Sequence, residues 1–279
     1  MPELPEVETI KTSVSQALCG ATIKQVIIRQ PQLRVLIPEN FAECVVNARI
    51  EKLSRIAKYM LMHLNNEQTI IWHFGMSGKI HILSDLPSQI DKHDHIIIVT
   101  DKGILLYNDP RRFGLVTICR IDNIKKHPLF KKLGLDPWDK ELTVDYLKEK
   151  FRGKKTAIKI ALLDQEIICG IGNIYASEIL YQARIDPRRA TESINDGEIS
   201  RIIIYTQQIL KTAIDAGGST IHDYKKPDGD IGYFQQMHCV YNKTGQKCPQ
   251  CRCNIIKTGG VQKIVQGGRS TFYCATLQK

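Results

Sequence analysis

The stretch TIIWHFGMSGKIHILSDLPSQIDKHDHIIIVTDKGILLY, residues 69–107, is the clearest indication of the fold class of this chain. Its short apolar runs are rich in β-branched residues, and polar or glycine-bearing turns separate them. Such runs indicate β-strands, and many short strands at close spacing favour a sandwich or a barrel. With a similar run upstream, they predict strands at 23–28, 69–74, 79–83, 95–100 and 104–107.

Helices are predicted on both sides of these strands. Before them, apolar residues at positions 7, 10, 14 and 18 fall at helical spacing behind Pro5, which suits a first helical turn. After them, a break at 133–138 contains Gly134 and Pro137 between charged segments. Gly217 and Gly218 end the last predicted helix. The helical periodicity beyond the break covers 146–151, 174–183 and 199–216.

Three stretches of different character predict three domains. We expect an N-terminal β domain over 1–130, a helical domain over 131–233 and a small β-like module over 234–279. A module this small usually needs additional stabilisation, such as a bound zinc ion, because it cannot bury a large hydrophobic core. Of the nine cysteines, five crowd between Cys239 and Cys274, which indicates a metal site rather than a disulfide framework.

The net charge and the hydropathy of the chain limit the functions that it can have. The 39 Lys and Arg exceed the 29 Asp and Glu, and the formal net charge of +10 favours a polyanionic partner such as nucleic acid. The N-terminus has no secretory signal pattern, and the apolar runs are far shorter than the roughly 18 residues of a membrane helix. We therefore expect a cytoplasmic protein with no transmembrane segment.

The first residues offer a nucleophile. A small second residue normally permits removal of the initiator Met, which would leave Pro2 as a free secondary amine. Such an amine titrates near ~8 and can form an iminium with a sugar aldehyde carbon. Glu3 could serve as general acid or base, and the N-terminal end of the following helix favours the neutral amine. The alternative is that Glu3 is an ordinary helix cap and that Pro2 has no catalytic role.

Short motifs with a recognisable order lie along nearly the whole chain. They are PELPEVE at 2–8, RIAKY at 55–59, HFGMSG at 73–78, KHDH at 92–95, DPRRFG at 109–114, KKTAIK at 154–159, GIGNIYASE at 170–178 and GGRSTFYC at 267–274. These motifs resemble those of bacterial formamidopyrimidine-DNA glycosylases. Leu4 favours the purine-directed branch of that family, because the related endonuclease VIII group usually has Gly there.

The resemblance implies a multidomain α+β fold. It has an N-terminal β-sandwich flanked by a helix, a helix-two-turn-helix domain and a C-terminal β-hairpin that resembles a zinc finger. The implied activity is excision of oxidised purines, chiefly 8-oxoguanine opposite cytosine and formamidopyrimidines, followed by β,δ-elimination as an AP lyase. Alternatives are an endonuclease VIII-like glycosylase for oxidised pyrimidines and a non-catalytic binder of damaged DNA. A monomer acting on double-stranded DNA is expected, with no organic cofactor.

The resemblance also assigns roles to residues. The catalytic residues would be Pro2 as nucleophile, Glu3 as acid, Lys58, and Arg269 in δ-elimination. Without the motif, Lys58 would be taken for a solvated surface lysine, and Arg269 for a generic backbone contact. Lys159 is expected to face the lesion, and the segment 219–233 to close over it. The implied DNA-binding residues are Met76, His93, Arg111, Phe113, Lys154, Lys155 and Asn173.

Met76, Arg111 and Phe113 would fill the space that a flipped nucleotide leaves. The alternative for Met76 and Phe113 is packing in the core. Neighbouring glycines favour exposed loops instead.

The zinc motif departs from the family pattern. Cys248, Cys251 and Cys274 match three ligands, but Leu277 stands where the fourth cysteine is usual. Structural zinc is almost always four-coordinate, so another donor is expected. Cys253, His238 and Cys239 are the nearby candidates. Three possibilities stay open: four-coordinate zinc with Cys253 or His238, a weaker three-thiolate site with water, or no zinc.

Overall fold

The structure is a computed structural model that describes residues 2–219, 233–252 and 254–279. The chain forms two compact units. The first comprises Met1–Lys131 and Ile214–Gln235, and the second comprises Lys132–Ala213 and Gln236–Lys279. The division into three domains over 1–130, 131–233 and 234–279 stays a prediction.

The first unit is a β-sandwich of two four-stranded antiparallel sheets. One sheet has the order β1-β6-β7-β5 and the other β2-β3-β4-β8. The predicted strands are confirmed to within two residues at their ends, whereas β2, β3 and β8 were not predicted. The strands are β1 (Ile23–Ile28), β2 (Ile50–Ile56), β3 (Tyr59–Leu64), β4 (Gln68–His73), β5 (Lys79–Leu83), β6 (Asp94–Thr100), β7 (Gly103–Asn108) and β8 (Leu115–Arg120).

Helix α1 (Leu4–Leu18) packs against the sandwich, as the spacing of its apolar residues predicts. Its buried face and the inner faces of both sheets form a single core. Within that core, the ring of Trp72 from β4 lies 5.4 Å from the ring of Tyr107 from β7. The short helix α2 (Phe41–Val45) adds two buried residues, Phe41 and Val45.

The second unit is helical and ends in an antiparallel hairpin. The predicted helices are confirmed, with shifts of at most three residues at their ends, and Gly217 and Gly218 follow α6 with positive φ angles of 76° and 78°. The end of α6 and the start of α7 belong to the first unit. The helices that follow β8 along the chain are α3 (Val144–Phe151), α4 (Ile158–Leu163), α5 (Asn173–Gln182), α6 (Asp196–Asp215), α7 (Phe234–Met237) and α8 (Ile255–Thr258). The hairpin strands are β9 (Gln262–Gln266) and β10 (Arg269–Tyr273).

Among the described residues, no helix is both long enough and apolar enough to cross a bilayer.

Candidate active site

The N-terminal turn of α1 holds Glu3 in a fixed position. Glu3 is the N-cap residue, its side chain is buried, and its backbone N–H donates to Glu6 Oε2 at 2.8 Å. The other oxygen of Glu6 accepts from Ser219 N–H, also at 2.8 Å. Glu6 therefore links the turn that carries Pro2 and Glu3 to the start of the segment predicted to cover the lesion. The rest of that segment, 220–232, lies outside the described residues.

Lys58 lies in the tight turn between β2 and β3, next to Ala57, whose φ is 51°. Arg55 reaches across this turn: Nη1 donates to Ala57 O at 3.0 Å, and Nε donates to Glu8 Oε2 at 2.9 Å. Glu8 belongs to α1, so Arg55 connects the helix with the lysine turn. Lys58 is only 7% exposed, and the alternative of a solvated surface lysine is wrong.

Glu8 is negatively charged in its bond with Arg55. Burial alone would raise its pKa, but the ion pairs with Lys11 and Arg55 outweigh burial and hold the pKa below its usual value. The carboxylate is therefore ionised at neutral pH and strengthens the bond to Arg55.

Neighbouring strands bring the predicted loops to the same end of one sheet. Tyr59 in β3 pairs with His73 in β4, and His73 pairs with Leu115 in β8. Lys58 directly precedes Tyr59. Met76 lies three residues after His73, and Phe113 lies two residues before Leu115. The antiparallel register therefore places the lysine turn and the two loops in one row.

The loops that carry Met76 and Phe113 contact each other through their backbones. A Cβ at Gly75, where φ is 56°, would lie 2.4 Å from the carbonyl carbon of Phe113, so only glycine fits. Met76 and Phe113 are 41% and 46% exposed, and the alternative of core packing is wrong for both. The Arg111 guanidinium lies over the Phe113 ring, 4.7 Å from its centroid. These side chains are therefore available to a duplex.

A buried carboxylate organises both loops. Asp109 accepts from Ser77 Oγ at 2.5 Å and from Gly114 N–H at 2.8 Å. Its own N–H donates to His93 O at 3.0 Å, which places His93 beside the same loop. The predicted DNA contacts of the first unit thus share one buried anchor.

In the second unit, Lys159 joins Asn173, a predicted DNA contact, to strand β10, which begins at the predicted catalytic residue Arg269. Lys159 is 0% exposed, and its ammonium donates to Asn173 Oδ1 at 2.6 Å, Thr271 Oγ1 at 2.7 Å and Ser270 O at 3.0 Å. Asn173 is the first residue of α5, and Ser270 follows Arg269 in β10. The ammonium of Lys159 is buried in this network, and the expectation that Lys159 faces the lesion stays a prediction.

Lys154 and Arg269 line the same cavity, of about 360 Å³, together with Asp164 and Gly267. Two cations beside a glycine turn suit a phosphate group, because the backbone can approach closely there. Lys155 is exposed and does not line this cavity.

The hairpin region also brings three thiols together. The sulfur atoms of Cys248, Cys251 and Cys274 lie within 4.8 Å of one another, and all three residues are buried. Leu277 packs against this cluster as an apolar neighbour. Three soft thiol ligands at this separation fit zinc, although a structural zinc site normally has four ligands.

Two of the candidates for the fourth ligand, His238 and Cys239, lie outside the group of converging thiols. His238 does not belong to the converging group, and its ring packs edge-on against Tyr241 at 5.6 Å. Burial and then the charge of Lys243 lower the pKa of His238 to about 4. Cys239 is also outside the group, and Cys253 lies outside the described residues.

Comparisons with known proteins agree along the whole chain. Residues 1–116 match the family model of the formamidopyrimidine-DNA glycosylase N-terminal domain, and residues 133–225 match that of its H2TH domain. The formamidopyrimidine-DNA glycosylase of Rhodospirillum rubrum is 38% identical over 282 residues, and that of Novosphingobium aromaticivorans is 41% identical over 280, with 100% of each chain covered.

The chain belongs to the formamidopyrimidine-DNA glycosylase family.

Solved structures of this family have the same fold. A Lactococcus lactis Fpg mutant in complex with Fapy-dG containing DNA is 32% identical, with a TM-score of 0.91. The complex of the Lactococcus lactis Fpg with abasic-site DNA is 31% identical and has the same TM-score. Each comparison covers 100% of both chains. Membership confirms the predicted α+β fold and makes the chain a base-excision-repair DNA glycosylase of a family that also has AP lyase activity.

Sequence reasoning missed several residues that position the site of this formamidopyrimidine-DNA glycosylase family member. Arg55 lies in the motif RIAKY and Asp109 in the motif DPRRFG, but no role was predicted for either. Glu178 in α5 is buried, and its carboxylate accepts the N–H groups of Cys239, Val240 and Tyr241 at 2.7–3.0 Å. An acidic residue in an otherwise apolar helix was the available signal. Glu178 therefore attaches the start of the cysteine module to α5.

Proposed function

We propose that this chain excises oxidised purines, chiefly 8-oxoguanine opposite cytosine and formamidopyrimidines, from double-stranded DNA and then cleaves the strand as an AP lyase. The observation that carries the proposal is the turn at the start of α1, where Pro2 and the buried Glu3 precede a capped helix. Because duplex DNA is the substrate, we place the activity at the nucleoid, in the cytoplasm.

The proposed reaction starts with the amine of Pro2. Its nitrogen attacks C1′ of the damaged nucleotide, and the bond from C1′ to the base breaks, so the base leaves. Glu3 donates a proton to the ring oxygen of the sugar, which opens the ring and gives a Schiff base on Pro2. Proton removal from the sugar then eliminates the 3′ phosphate and afterwards the 5′ phosphate. Lys58 and Arg269 hold phosphates or transfer protons in these steps.

Binding of the flipped nucleotide requires the remaining predicted residues. Met76 and Phe113 would insert where the nucleotide leaves the stack, and the planar guanidinium of Arg111 would bond the orphaned cytosine. Their exposure and the cation–π contact of Arg111 with Phe113 support this role. His93, Lys154, Lys155 and Asn173 would bind the phosphate backbone. The cavity that Lys154 shares with Arg269 favours Lys154 over Lys155 as the main contact.

Borohydride trapping tests this function. The duplex contains one 8-oxoguanine opposite cytosine, and the cross-linked peptide is mapped. We expect an adduct on the N-terminal proline. A parallel thymine-glycol duplex distinguishes the endonuclease VIII-like alternative, which predicts stronger trapping there. A shifted duplex in a gel without trapping or strand cleavage would favour the non-catalytic binder.

We also propose that Cys248, Cys251 and Cys274 bind zinc, more weakly than a four-cysteine homologue does. The convergence of their sulfur atoms supports the site, and the leucine at position 277 accounts for the weaker affinity. Zinc would then stabilise the hairpin that carries Arg269, because metal binding at such sites contributes folding free energy.

Leu277→Cys tests this zinc proposal. A fourth thiolate should raise zinc affinity by at least about 100-fold, since structural zinc favours four ligands. Affinity is measured by competition with a chromophoric chelator. Leu277→Ser is the matched control, because it removes the same packing without adding a thiolate. Equal zinc retention in the unchanged chain and in Leu277→Cys would contradict the proposal, and Cys253→Ser would then show whether Cys253 supplies the fourth ligand.

A further inference from the structure

The C-terminal end of α5 lies against the turn that carries two of the three converging cysteines. Tyr181, the last residue but one of this helix, is fully buried. Its side chain packs in the same hydrophobic cluster as the cysteine cluster, by which we mean Cys248, Cys251 and Cys274. A buried tyrosine hydroxyl needs a hydrogen-bond partner, so its surroundings show what the hydroxyl does.

The Tyr181 hydroxyl has two partners in the cysteine turn. It accepts the N–H of Gln250 at 3.1 Å, and it is also hydrogen-bonded to Cys248. A hydroxyl that accepts from a backbone N–H still has its own proton to donate, and here the sulfur of Cys248 receives it. Tyr181 therefore connects the backbone of the turn with the first sulfur of the turn.

The next residue of α5 strengthens this attachment. Gln182 Oε1 accepts from Gln250 Nε2 at 2.8 Å, and Gln182 Nε2 donates to Cys239 Sγ at 3.5 Å. Gln250 is thus held through its main chain by Tyr181 and through its side chain by Gln182. Because both of these residues belong to a helix, the turn has a defined position before a metal ion binds.

The sulfur atoms of the cysteine cluster receive donors of two kinds. Cys274 is hydrogen-bonded to the backbone N–H groups of Thr276 and Leu277. Cys248 is hydrogen-bonded to the side chain of Tyr181. A backbone donor is present whatever the side chain is, but the hydroxyl donor to Cys248 depends on the identity of residue 181.

Donors to sulfur matter for a zinc site in this position. Zinc binds cysteine as the thiolate, and three thiolates carry more negative charge than one Zn²⁺ neutralises. In a buried cluster, hydrogen bonds to the sulfur atoms offset the excess charge and orient the ligands. Leu277 offers no fourth sulfur, so zinc binding depends more strongly on the bonds that support the other three.

We propose that Tyr181 is a positioning residue of the zinc site, whose hydroxyl donates to the Cys248 thiolate and holds it in place for the metal ion. The inference rests on the proposed binding of zinc by the cysteine cluster. In this role the phenol keeps its proton, and its oxygen does not ligate the ion.

The test compares Tyr181→Phe with Tyr146→Phe in the full chain. Phenylalanine keeps the buried ring and removes only the hydroxyl. In Tyr181→Phe, we expect zinc affinity, measured by competition with a chromophoric chelator, to fall about 10–100-fold, as is usual when a hydrogen bond to a metal ligand is lost. Tyr146 is the matched control, because its hydroxyl donates to Ile167 O at 2.9 Å in the same unit and not to a cysteine. Its loss should leave zinc affinity unchanged.

Cobalt(II) in place of zinc gives a readout that a merely structural role would not change. A hydrogen bond to a thiolate lowers the energy of the sulfur lone pair, so its removal in Tyr181→Phe should move the thiolate-to-cobalt charge-transfer band to longer wavelength. The band should not move in Tyr146→Phe. Thermal unfolding establishes that both variants are folded.

The possible results separate this inference from the proposed zinc site. If the unchanged chain binds no zinc, the proposed site fails and the inference fails with it. If the unchanged chain binds zinc and Tyr181→Phe binds it equally well, or with the same cobalt band, only the inference is overturned. An equal loss of affinity in Tyr146→Phe would overturn it as well.

Direct ligation by Tyr181 would also overturn the positioning role. It would be recognised by the absorption band of an ionised tyrosine that develops when the unchanged chain binds zinc and does not develop in Tyr181→Phe. A lower zinc affinity together with a shifted cobalt band in Tyr181→Phe, without either change in Tyr146→Phe and without ionised tyrosine in the unchanged chain, supports the inference.

Discussion

Pro2→Leu is expected to abolish base excision and borohydride trapping. A large second residue blocks removal of the initiator Met, so the nitrogen at position 2 stays an amide and loses its nucleophilic lone pair. The free amine then belongs to Met1, one residue away from the position we propose for attack. Loss of a nucleophile that acts together with a general acid should lower the single-turnover rate of excision by at least about 10³-fold. The rate is measured on an 8-oxoguanine duplex with enzyme in excess.

Pro2→Ala is the matched control. Alanine permits Met removal and leaves a primary amine at the same position, so trapping should persist at a reduced rate. Mass spectrometry of both proteins establishes the N-terminus, and a filter-binding assay establishes that each still binds the lesion duplex. Undiminished trapping in Pro2→Leu, with the adduct mapped to a lysine such as Lys58, would show that Pro2 is not the nucleophile.

The local periodicity of the sequence was sufficient to predict an element where β-branched residues dominate a strand or where apolar residues keep helical spacing. It was insufficient for the strands of the second sheet. The sequence of β2 is IEKLSRI, in which only Ile50 is fully buried, and an irregularity between Ile50 and Lys52 breaks the alternation. The sequence of β3 is YMLMHL, where Met and Leu give no β-branched signal although most of the strand is buried.

Helix α4 was missed for a different reason. Its six residues, IKIALL, are almost continuously apolar and too few to show a helical period. Its N-cap is Ala157, which makes no side-chain capping bond. A short apolar run of this kind fits a buried strand equally well, so only the packing of the folded chain distinguishes the two.

The candidate site was predictable where a motif contains the reacting group, as with Glu3, Lys58 and the cysteines of the hairpin. The groups that hold those residues were not predictable, because their partners are remote in sequence. Asp109 bonds Ser77 across 32 positions, and Lys159 bonds Ser270 across 111. Neither spacing has a period, so the sequence alone carries no signal of these contacts.

Lys159→Met is expected to give the largest loss of stability and to weaken the second elimination. Methionine has a similar length but donates no hydrogen bond, so Asn173 Oδ1, Thr271 Oγ1 and Ser270 O lose their shared donor. A buried polar group left without a partner costs about 1–3 kcal/mol, and the free energy of unfolding should fall by about 2–5 kcal/mol in total. Guanidinium unfolding measures this change.

The activity of Lys159→Met should change selectively, because Ser270 follows Arg269 and Asn173 begins α5. Loss of the lysine frees the start of β10, and we expect δ-elimination products to decrease relative to β-elimination products on an abasic-site duplex. Lys155→Met is the control for stability, since it makes the same substitution at an exposed lysine and should change the free energy of unfolding by less than about 0.5 kcal/mol. If the two variants unfold at the same denaturant concentration and give the same product ratio, the buried ammonium does not hold the hairpin to α5. The position of Arg269 would then depend on the cysteine cluster, and removal of zinc by a chelator would be expected to reduce δ-elimination instead.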